Sequence, residues 1–254
     1  MIKEIGEKYF DEYHKLVGHK IDTWLTNYDF NDRGIELGYS TKASAVYSSN
    51  IEGNTVDLNT YMNHELAKHK FNPSKEIEEI DNLVKAYEYA QQTSLNETTF
   101  LKCHSIFSKT LLIKSKLGKY REEKVGVFGE KGLAYLAVEP EFVNKKMNVF
   151  FNEVSQLLTS DMSEAQVFYY ASLVHLVFVH IHPFMDGNGR GARLLEKWFI
   201  CQKLGARFWN LSSEKYYKDN RNDYYNNINL GVNYYELDYD KCLPFLCMLP
   251  LCLE

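Results

Sequence analysis

His-Pro-Phe-Met-Asp-Gly-Asn-Gly-Arg-Gly-Ala-Arg, at residues 182–193, is the stretch of sequence that decides the fold of this chain. Before it, residues 171–181 are apolar except for one serine and two histidines, and such a run predicts a buried helix. After it, apolar side chains recur with helical spacing within residues 194–199. The sequence therefore predicts two buried helices joined by a tight turn over residues 183–189.

The composition of this turn favours a phosphate ligand. Gly187 and Gly189 let the backbone approach a bound group closely, and the first N–H groups of the following helix are unpaired and attract anions. Arg190 and Arg193 are three residues apart, so they share a helix face and lean back over the same turn. Two cations at the positive end of a helix are mildly unfavourable, and a bound polyphosphate would remove that cost.

Two further side chains of the motif suggest a reaction. Asp186 is the carboxylate of the turn, and Mg2+ is commonly held by one carboxylate together with phosphate oxygens. His182 has an ordinary pKa that suits it to take a proton from a hydroxyl group. The alternative is a capped corner between two helices with solvated arginines, but the joint occurrence of base, acid, glycines and arginines favours a site.

These residues match every fixed position of the motif His-Pro-Phe-x-Asp/Glu-Gly-Asn-Gly-Arg-x-x-Arg, and the chain thereby resembles the Fic (Fic/Doc-type) family. The resemblance implies transfer of AMP from ATP to a hydroxyl group of a target protein. It makes His182 the general base and Asp186 the Mg2+ ligand. It also implies that Gly187, Asn188 and Gly189 form an anion hole. Arg190 and Arg193 would bind the outer phosphates.

A second motif, Ser-Ser-Asn-Ile-Glu-Gly at residues 48–53, resembles the inhibitory motif of Fic proteins with an N-terminal inhibitory helix. Ser48 and Glu52 are four residues apart, so on a helix they would lie on one face. Gly53 suits the left-handed residue that ends a helix. The resemblance implies that Glu52 pairs with Arg193 and displaces the γ-phosphate of ATP. The alternative is an ordinary capped helix end.

Two short β-prone runs around a glycine-containing turn predict a hairpin within residues 125–136. In the Fic family a hairpin flap at this place holds the target segment by strand addition, which uses main-chain hydrogen bonds and demands little of the target sequence. The resemblance thus makes Val127, Phe128 and Gly129 target-binding residues. A hairpin with only a structural role is the alternative.

Most of the remaining chain has helical periodicity, with predicted helices at residues 75–92, 98–112, 141–158, 163–181 and 212–230. The apolar run at 239–253 is expected to close the bundle. The sequence therefore predicts an all-α fold, mainly a helical bundle with a small β-hairpin flap, with a Fic-like core at 71–254 and an N-terminal helical extension at 1–70. Tyr224 resembles a family tyrosine near the adenine, although amphipathic packing of this tyrosine-rich segment is the alternative.

Composition narrows the classes of function and of partner. A 254-residue chain with 45% hydrophobic residues can bury a large core, and its net charge of -5 argues against nucleic acid as a partner. We expect no membrane span, because no run of about 18 uninterrupted apolar residues occurs. The start of the sequence lacks a signal-peptide pattern, and five cysteines without paired metal spacing predict a reduced, cytoplasmic protein. His175 and His180 are expected to be core or capping histidines rather than zinc ligands.

Three classes of function are compatible with these observations. The first is a protein adenylyltransferase that uses ATP and Mg2+ and is inhibited by the Glu52–Arg193 pair. The second is a hydrolase that removes AMP from modified protein at the same site. The third is a non-catalytic interaction module, against which the complete motif counts. Transfer of a different phosphate-linked group and assembly into a homo-oligomer stay open.

Overall fold

The computed structural model describes residues 1–30, 37–67, 73–129 and 132–254, without the side chain of residue 37. The predicted all-α class is confirmed: helices make up most of this part of the chain, and one small hairpin accompanies them. The helices are α1 (Ile2–Leu16), α2 (Ile21–Asn27), α3 (Leu37–Ile51), α4 (Leu58–Leu66), α5 (Lys75–Gln91), α6 (Glu97–Phe107), α7 (Pro140–Thr159), α8 (Glu164–Ile181), α9 (Asn188–Leu204), α10 (Ser213–Asp219), α11 (Arg221–Ile228) and α12 (Leu243–Leu246).

Helix starts follow from local side-chain chemistry. Ser74 caps α5 by accepting from the backbone N–H of Ile77. Asn96 and Ser163 each form a capping box, in which the N-cap side chain and the side chain three residues later satisfy each other's backbone donors. Pro140 occupies the first turn of α7, where its missing N–H costs no hydrogen bond.

Helix α8 lies at the centre of the core, because most of its side chains are apolar and buried. It packs against α9, α1, α7 and α12. The ring of Phe178 meets Phe100 of α6 edge-on, with ring centroids 5.3 Å apart, and also contacts Phe184 of the turn. This packing fixes the C-terminal end of α8, where the motif begins.

The N-terminal segment packs into the same hydrophobic cluster as the rest of the chain. The hydroxyl of Tyr169 in α8 donates to the carbonyl of Gly6 in α1 at 3.1 Å. Helix α3 packs against α5 and α10 and also touches α9. The predicted boundary at residue 70 lies outside the described residues, so the division of the chain stays a prediction.

The hairpin consists of β1 (Gly126–Gly129) and β2 (Gly132–Leu136), paired antiparallel with a bulge between Val127 and Phe128. Its turn, at residues 130–131, lies outside the described part. The backbone N–H of Leu136 donates to the carbonyl of Val232, which ties the end of β2 to the segment after α11. The predicted hairpin is confirmed.

Two sequence predictions need correction. The helix expected at 212–230 is two helices, α10 and α11, because the backbone at Asn220 leaves the helical region, and both the backbone N–H and the side chain of Asn220 donate to the carbonyl of Tyr216. Helix α3 ends at Ile51, so Glu52 lies in the turn beyond it rather than on the same helix as Ser48. The last run forms short helical turns, the last of which begins at Pro250. No helix in the described ranges has the length and apolarity of a bilayer span.

Candidate functional site

His182 lies at the C-cap of α8 in a left-handed backbone conformation, with φ 52 and ψ 60. It is the only non-glycine residue with positive φ in the described ranges, and such conformations concentrate at functional sites because they cost energy. Its Nδ1 lies 3.1 Å from the carbonyl oxygen of Val179. A carbonyl only accepts, so Nδ1 carries the proton and Nε2 keeps a free lone pair.

Burial, together with the nearby charge of Arg121, lowers the pKa of His182 to about 4, although the hydrogen bond to Val179 and the charge of Glu52 oppose this shift. The imidazole is therefore neutral at physiological pH. A neutral imidazole with its proton fixed on Nδ1 can accept a proton at Nε2, which is the requirement for a general base.

Arg121 is buried and binds four backbone carbonyls rather than a carboxylate. Its Nε donates to the carbonyl of His182 at 2.7 Å, and its other nitrogens donate to Ile181 at the end of α8, to Glu123 before β1 and to Val138 after β2. One guanidinium thus joins both ends of the flap hairpin to the residue that carries the candidate base.

The motif turn is held by two side chains that bind its backbone. Asn188 accepts from the N–H of Phe184 and donates to the carbonyl of the same residue, both at 2.9 Å. His104 stacks on Phe184 at 3.6 Å and lies 3.1 Å from the carbonyl of Asp186 through Nε2. The backbone N–H of Gly118 donates to Nδ1 of His104, so Nε2 carries the proton that goes to the turn.

The N-terminus of α9 faces the space beside this turn. Gly187 occupies the N-cap position with φ 83, and a Cβ there would stand 2.8 Å from the ring of Phe107. Glycine is therefore required at this position, and it leaves the helix without a side-chain cap. The Asp186 side chain is half exposed, and its Oδ1 accepts from the N–H of Gly187 at 2.6 Å.

The two motif arginines have different surroundings. Arg190 donates through Nε and one terminal nitrogen to Oε1 of Glu79 in α5, at 3.0 and 2.7 Å. Arg193 is buried and makes four hydrogen bonds with described residues, to the hydroxyl and carbonyl of Ser48, to Glu52 and to the hydroxyl of Tyr224. Both guanidiniums lie on α9 near its N-terminus, as their spacing predicts.

Glu52 lies directly against the N-terminal turn of α9. Its Oε1 accepts from Arg193 at 2.6 Å, and a Cβ built on Gly189 would stand 2.2 Å from that oxygen. Partial burial alone would raise the pKa of Glu52, but the charges of Arg193 and Arg190 and the hydrogen bond from Arg193 lower it below its usual value. A carboxylate thus occupies the place where an anionic ligand would meet the helix.

The structure places some of the predicted site residues together and others apart. Ser48 and Glu52 meet the 182–193 motif, and Gly53 ends the turn after α3 with φ 99. Tyr224 is buried against Arg193, and its predicted place near an adenine stays a prediction. Val127, Phe128 and Gly129 lie on the hairpin, which reaches α8 through the Tyr135 hydroxyl and the carbonyl of His180.

Comparison with known proteins shows which family has this geometry. Residues 94–200 match the model of the Fic/DOC family. A Fic family protein from Desulfovibrio desulfuricans has the same fold, with a TM-score of 0.76 at 23% identity over 95% of this chain and 71% of that one. Fic-1 from C. elegans superposes with a TM-score of 0.62 at 19% identity, over 99% of this chain and 70% of that one.

Residues 94–200 thus match a Fic domain. Sequence relatives agree: the protein adenylyltransferase Fic of Nematostella vectensis is 29% identical over 82% of this chain and 46% of its own length. That of Aedes aegypti is 29% identical over 59% of this chain and 30% of its own length. The chain therefore spans less than half the length of these relatives.

The candidate site contains contacts that the sequence did not predict. Arg121 binds the backbone of His182, His104 binds the motif turn, and Glu79 binds Arg190. In each case the two residues are at least 61 positions apart in the sequence. His175 is buried as expected, but it also bonds Glu196 and Tyr224, which connects it to Arg193.

Three buried histidines of the Fic domain lead to a prediction for its stability. Burial lowers the pKa values of His104, His180 and His182 to about 4, whereas an unfolded histidine titrates near about 6.5. Between these values the unfolded chain binds up to three more protons, so the free energy of unfolding falls as pH falls, by up to about 4 kcal/mol per pH unit.

Urea unfolding between about pH 7 and about pH 5 measures this slope. His180→Gln should reduce the slope by about a third, since one of the three groups is removed. His19→Gln is the matched control, because His19 is exposed. A wild-type slope no larger than that of the His180 variant would contradict the prediction.

Proposed function

We propose that this protein transfers AMP from ATP to a hydroxyl side chain of a target protein, with Mg2+, and that Glu52 inhibits the transfer. One observation carries the proposal. The neutral imidazole of His182 lies at the end of α8, in the loop that leads to the uncapped N-terminus of α9. Beside that terminus, the carboxylate of Glu52 is bound to Arg193. The relatives named protein adenylyltransferase support the same reaction.

Binding of the triphosphate follows from the electrostatics of α9. Its first N–H groups and its dipole attract an anion, and Gly187 and Gly189 let phosphate oxygens approach the backbone. The Asn188 side chain is used to hold the turn, so its contribution to an anion hole would come from its backbone. Arg193 and Arg190 would take the outer phosphates, each in exchange for a carboxylate that it binds here.

The reaction itself needs one proton transfer. The oxygen of the target hydroxyl attacks the α-phosphorus while its proton passes to Nε2 of His182. A new bond forms between that oxygen and phosphorus, the bond from the α-phosphorus to the bridging oxygen breaks, and pyrophosphate leaves. Arg121 keeps the backbone of His182 in place during this step because it binds the carbonyl of that residue.

Asp186 is the residue that would hold Mg2+. Its side chain is half exposed, and one oxygen already accepts from the N–H of Gly187. The described residues contain no cluster of three or more acidic, histidine or cysteine side chains suited to a metal. A single carboxylate suits Mg2+, which keeps its waters and shares phosphate oxygens, and the ion would supply charge neutralisation for the phosphates.

Replacement of Asp186 tests the metal assignment. Asp186→Asn keeps an oxygen for the N–H of Gly187 but removes the charge, whereas Asp186→Ala removes both. We expect both variants to lose most of the Mg2+ dependence of ATP binding in calorimetric titrations, and transfer to fall about 100-fold or more. A wild-type Mg2+ titration in Asp186→Asn would show that the charge does not bind the ion.

The flap is the proposed binding surface for the target protein. Phe128 is 75% exposed, and Leu133, Leu136, Val232 and Tyr235 form further exposed apolar surface on the hairpin or the segment beside it. The outer edge of β1 pairs with no strand in the described ranges. An extended target segment would add to this edge through main-chain hydrogen bonds and rest apolar side chains on the exposed rings.

A hydrolase that removes AMP from modified protein is the second candidate. Its supporting observation is the position of Glu52, a carboxylate against Gly189 that interacts electrostatically with His182. At that place it could orient a water molecule towards a bound phosphate ester. The two reactions would use the same site in opposite directions of AMP movement.

Labelled ATP distinguishes these functions. Adenylyl transfer retains label from α-labelled ATP on protein and none from γ-labelled ATP, whereas phosphoryl transfer gives the reverse. Wild type and Glu52→Gly would each be incubated with each donor and Mg2+. In a second assay, protein that already carries the label would be incubated with each of the two proteins, and the loss of label would be followed. Retained α-label supports transfer, and loss of label only with Glu52 present supports hydrolysis. If neither outcome is observed, the proposed function is contradicted.

A further inference from the structure

A chain of buried polar groups begins at Arg193. It runs from the guanidinium to the hydroxyl of Tyr224, from there to His175 and on to Glu196, which also accepts from Tyr217. All of these side chains are buried. Polar groups at this depth are costly to desolvate, so their partners need an explanation beyond packing.

Donor and acceptor roles along this chain are fixed by chemistry. The Glu196 carboxylate only accepts, so Nδ1 of His175 carries a proton and donates to Oε2 at 2.9 Å. Arg193 can only donate to the oxygen of Tyr224, so the hydroxyl proton of Tyr224 is left for the other ring nitrogen of His175, Nε2, which accepts at 2.9 Å. The Tyr224 oxygen is left with its lone pairs free to accept from Arg193 at 3.1 Å.

This arrangement orients Tyr224 as an acceptor for the arginine. A free tyrosine hydroxyl rotates and can point its proton at a cation. Here the hydroxyl donates its hydrogen bond to His175, so its proton points away from the arginine. The ring of Tyr224 also lies 5.8 Å from the guanidinium carbon, within the range of cation–π attraction. Arg193 thus meets the negative side of the tyrosine in both contacts.

Tyr224 differs from the other partners of Arg193 in its place in the chain. The remaining three hydrogen bonds of the guanidinium with described residues go to Ser48 and Glu52, which belong to the inhibitory segment. Tyr224 lies on α11, outside that segment. If the inhibitory turn moves away, the contact with Tyr224 is the one that does not leave with it.

We propose that Tyr224, oriented by His175 and Glu196, is a positioning residue that holds Arg193 towards the phosphate site when Glu52 withdraws. The inference rests on the proposed function, in which Arg193 binds an outer phosphate of ATP. It assigns Tyr224 an effect on the outer phosphates, which differs from a contact with the adenine. AMP lacks those phosphates, so ATP and AMP distinguish the two roles.

The test measures the affinities of Mg2+–ATP and of AMP by calorimetry in the Glu52→Gly protein. Added Tyr224→Phe removes only the hydroxyl and should weaken ATP binding about tenfold, a usual size for one hydrogen bond to a charged group, with AMP binding unchanged. Tyr169→Phe is the matched control, because it removes another buried hydroxyl, bonded to Gly6 in α1. Arg193→Ala in the same background measures what the arginine itself contributes.

Each outcome has one meaning. Weaker ATP binding with unchanged AMP binding in Tyr224→Phe, but not in Tyr169→Phe, supports the positioning role. Unchanged ATP binding in Tyr224→Phe, while Arg193→Ala loses it, overturns this inference and leaves the proposed function intact. Equal losses for ATP and AMP overturn it in favour of an adenine contact. Full ATP affinity in Arg193→Ala overturns both this inference and the phosphate role proposed for Arg193.

Discussion

Glu52→Gly is expected to raise AMP transfer about 100-fold over the wild-type protein, because Glu52 and the γ-phosphate of ATP compete for Arg193. The carboxylate binds the guanidinium at 2.6 Å and lies against Gly189 at the start of α9. While it stays there, the triphosphate can enter but its outer phosphate cannot settle. The α-phosphate is then misplaced for in-line attack, and a displacement of about 1 Å costs roughly two orders of magnitude in rate.

Two further variants separate charge from space in this effect. Glu52→Gln keeps the size of the side chain and removes its charge, so we expect activation between wild type and Glu52→Gly. Arg193→Ala removes the inhibitory pair together with the phosphate ligand, and should not activate. The readout is incorporation of α-label at saturating ATP and Mg2+. Wild-type labelling in Glu52→Gly would show that the Glu52–Arg193 pair does not limit the reaction.

The sequence predicted the site best where its parts are local. The base, the acid, the glycines and both arginines occupy twelve consecutive positions, so a single buried helix, a turn and a second helix place them together. Helical periodicity likewise predicted α5, α7 and α8 to within a few residues. The contact between Glu52 and Arg193 was different, since only the family resemblance connected these two residues, which are 141 positions apart.

Long-range partners without a local signal could not be predicted. Glu79 is an acid on an amphipathic helix and has the sequence pattern of a solvated residue, yet it binds Arg190 from 111 residues away. Arg121 lies just before the predicted hairpin, and nothing in its neighbours indicates that four carbonyls would converge on it. The break at Asn220 was missed because helical periodicity continues across it, while the backbone there is not helical.

The proposed inhibition and the proposed reaction depend on one electrostatic feature. The uncapped start of α9 and Arg193 form a positive site that must hold an anion to be stable, because unpaired buried charge is costly. In the protein as described, Glu52 is that anion. The proposed substrate would replace it with phosphate oxygens, so nucleotide binding and release of the inhibitory turn are thermodynamically linked.

His182→Ala is expected to reduce transfer by about 10²–10⁴-fold, the usual contribution of a general base. The comparison should be made in the Glu52→Gly background, where the wild-type base is active. ATP affinity should change little, because the ring lies beside the anion site and its Nδ1 is bonded to Val179 rather than to a ligand. Transfer is measured as initial rates with α-labelled ATP, and binding by calorimetry.

A matched variant removes the effect of backbone strain from this test. His182 has φ 52, and alanine pays about 1–2 kcal/mol in that left-handed region, which asparagine adopts more readily. His182→Asn should therefore keep the turn in place and still lose transfer. Because the pKa of His182 is about 4, the rate with the histidine present should stay level as pH falls from about 8 to about 5.5 and decline only as pH approaches about 4. Transfer that persists in His182→Asn, or an acid limb near about 6.5, would show that a different group takes the proton.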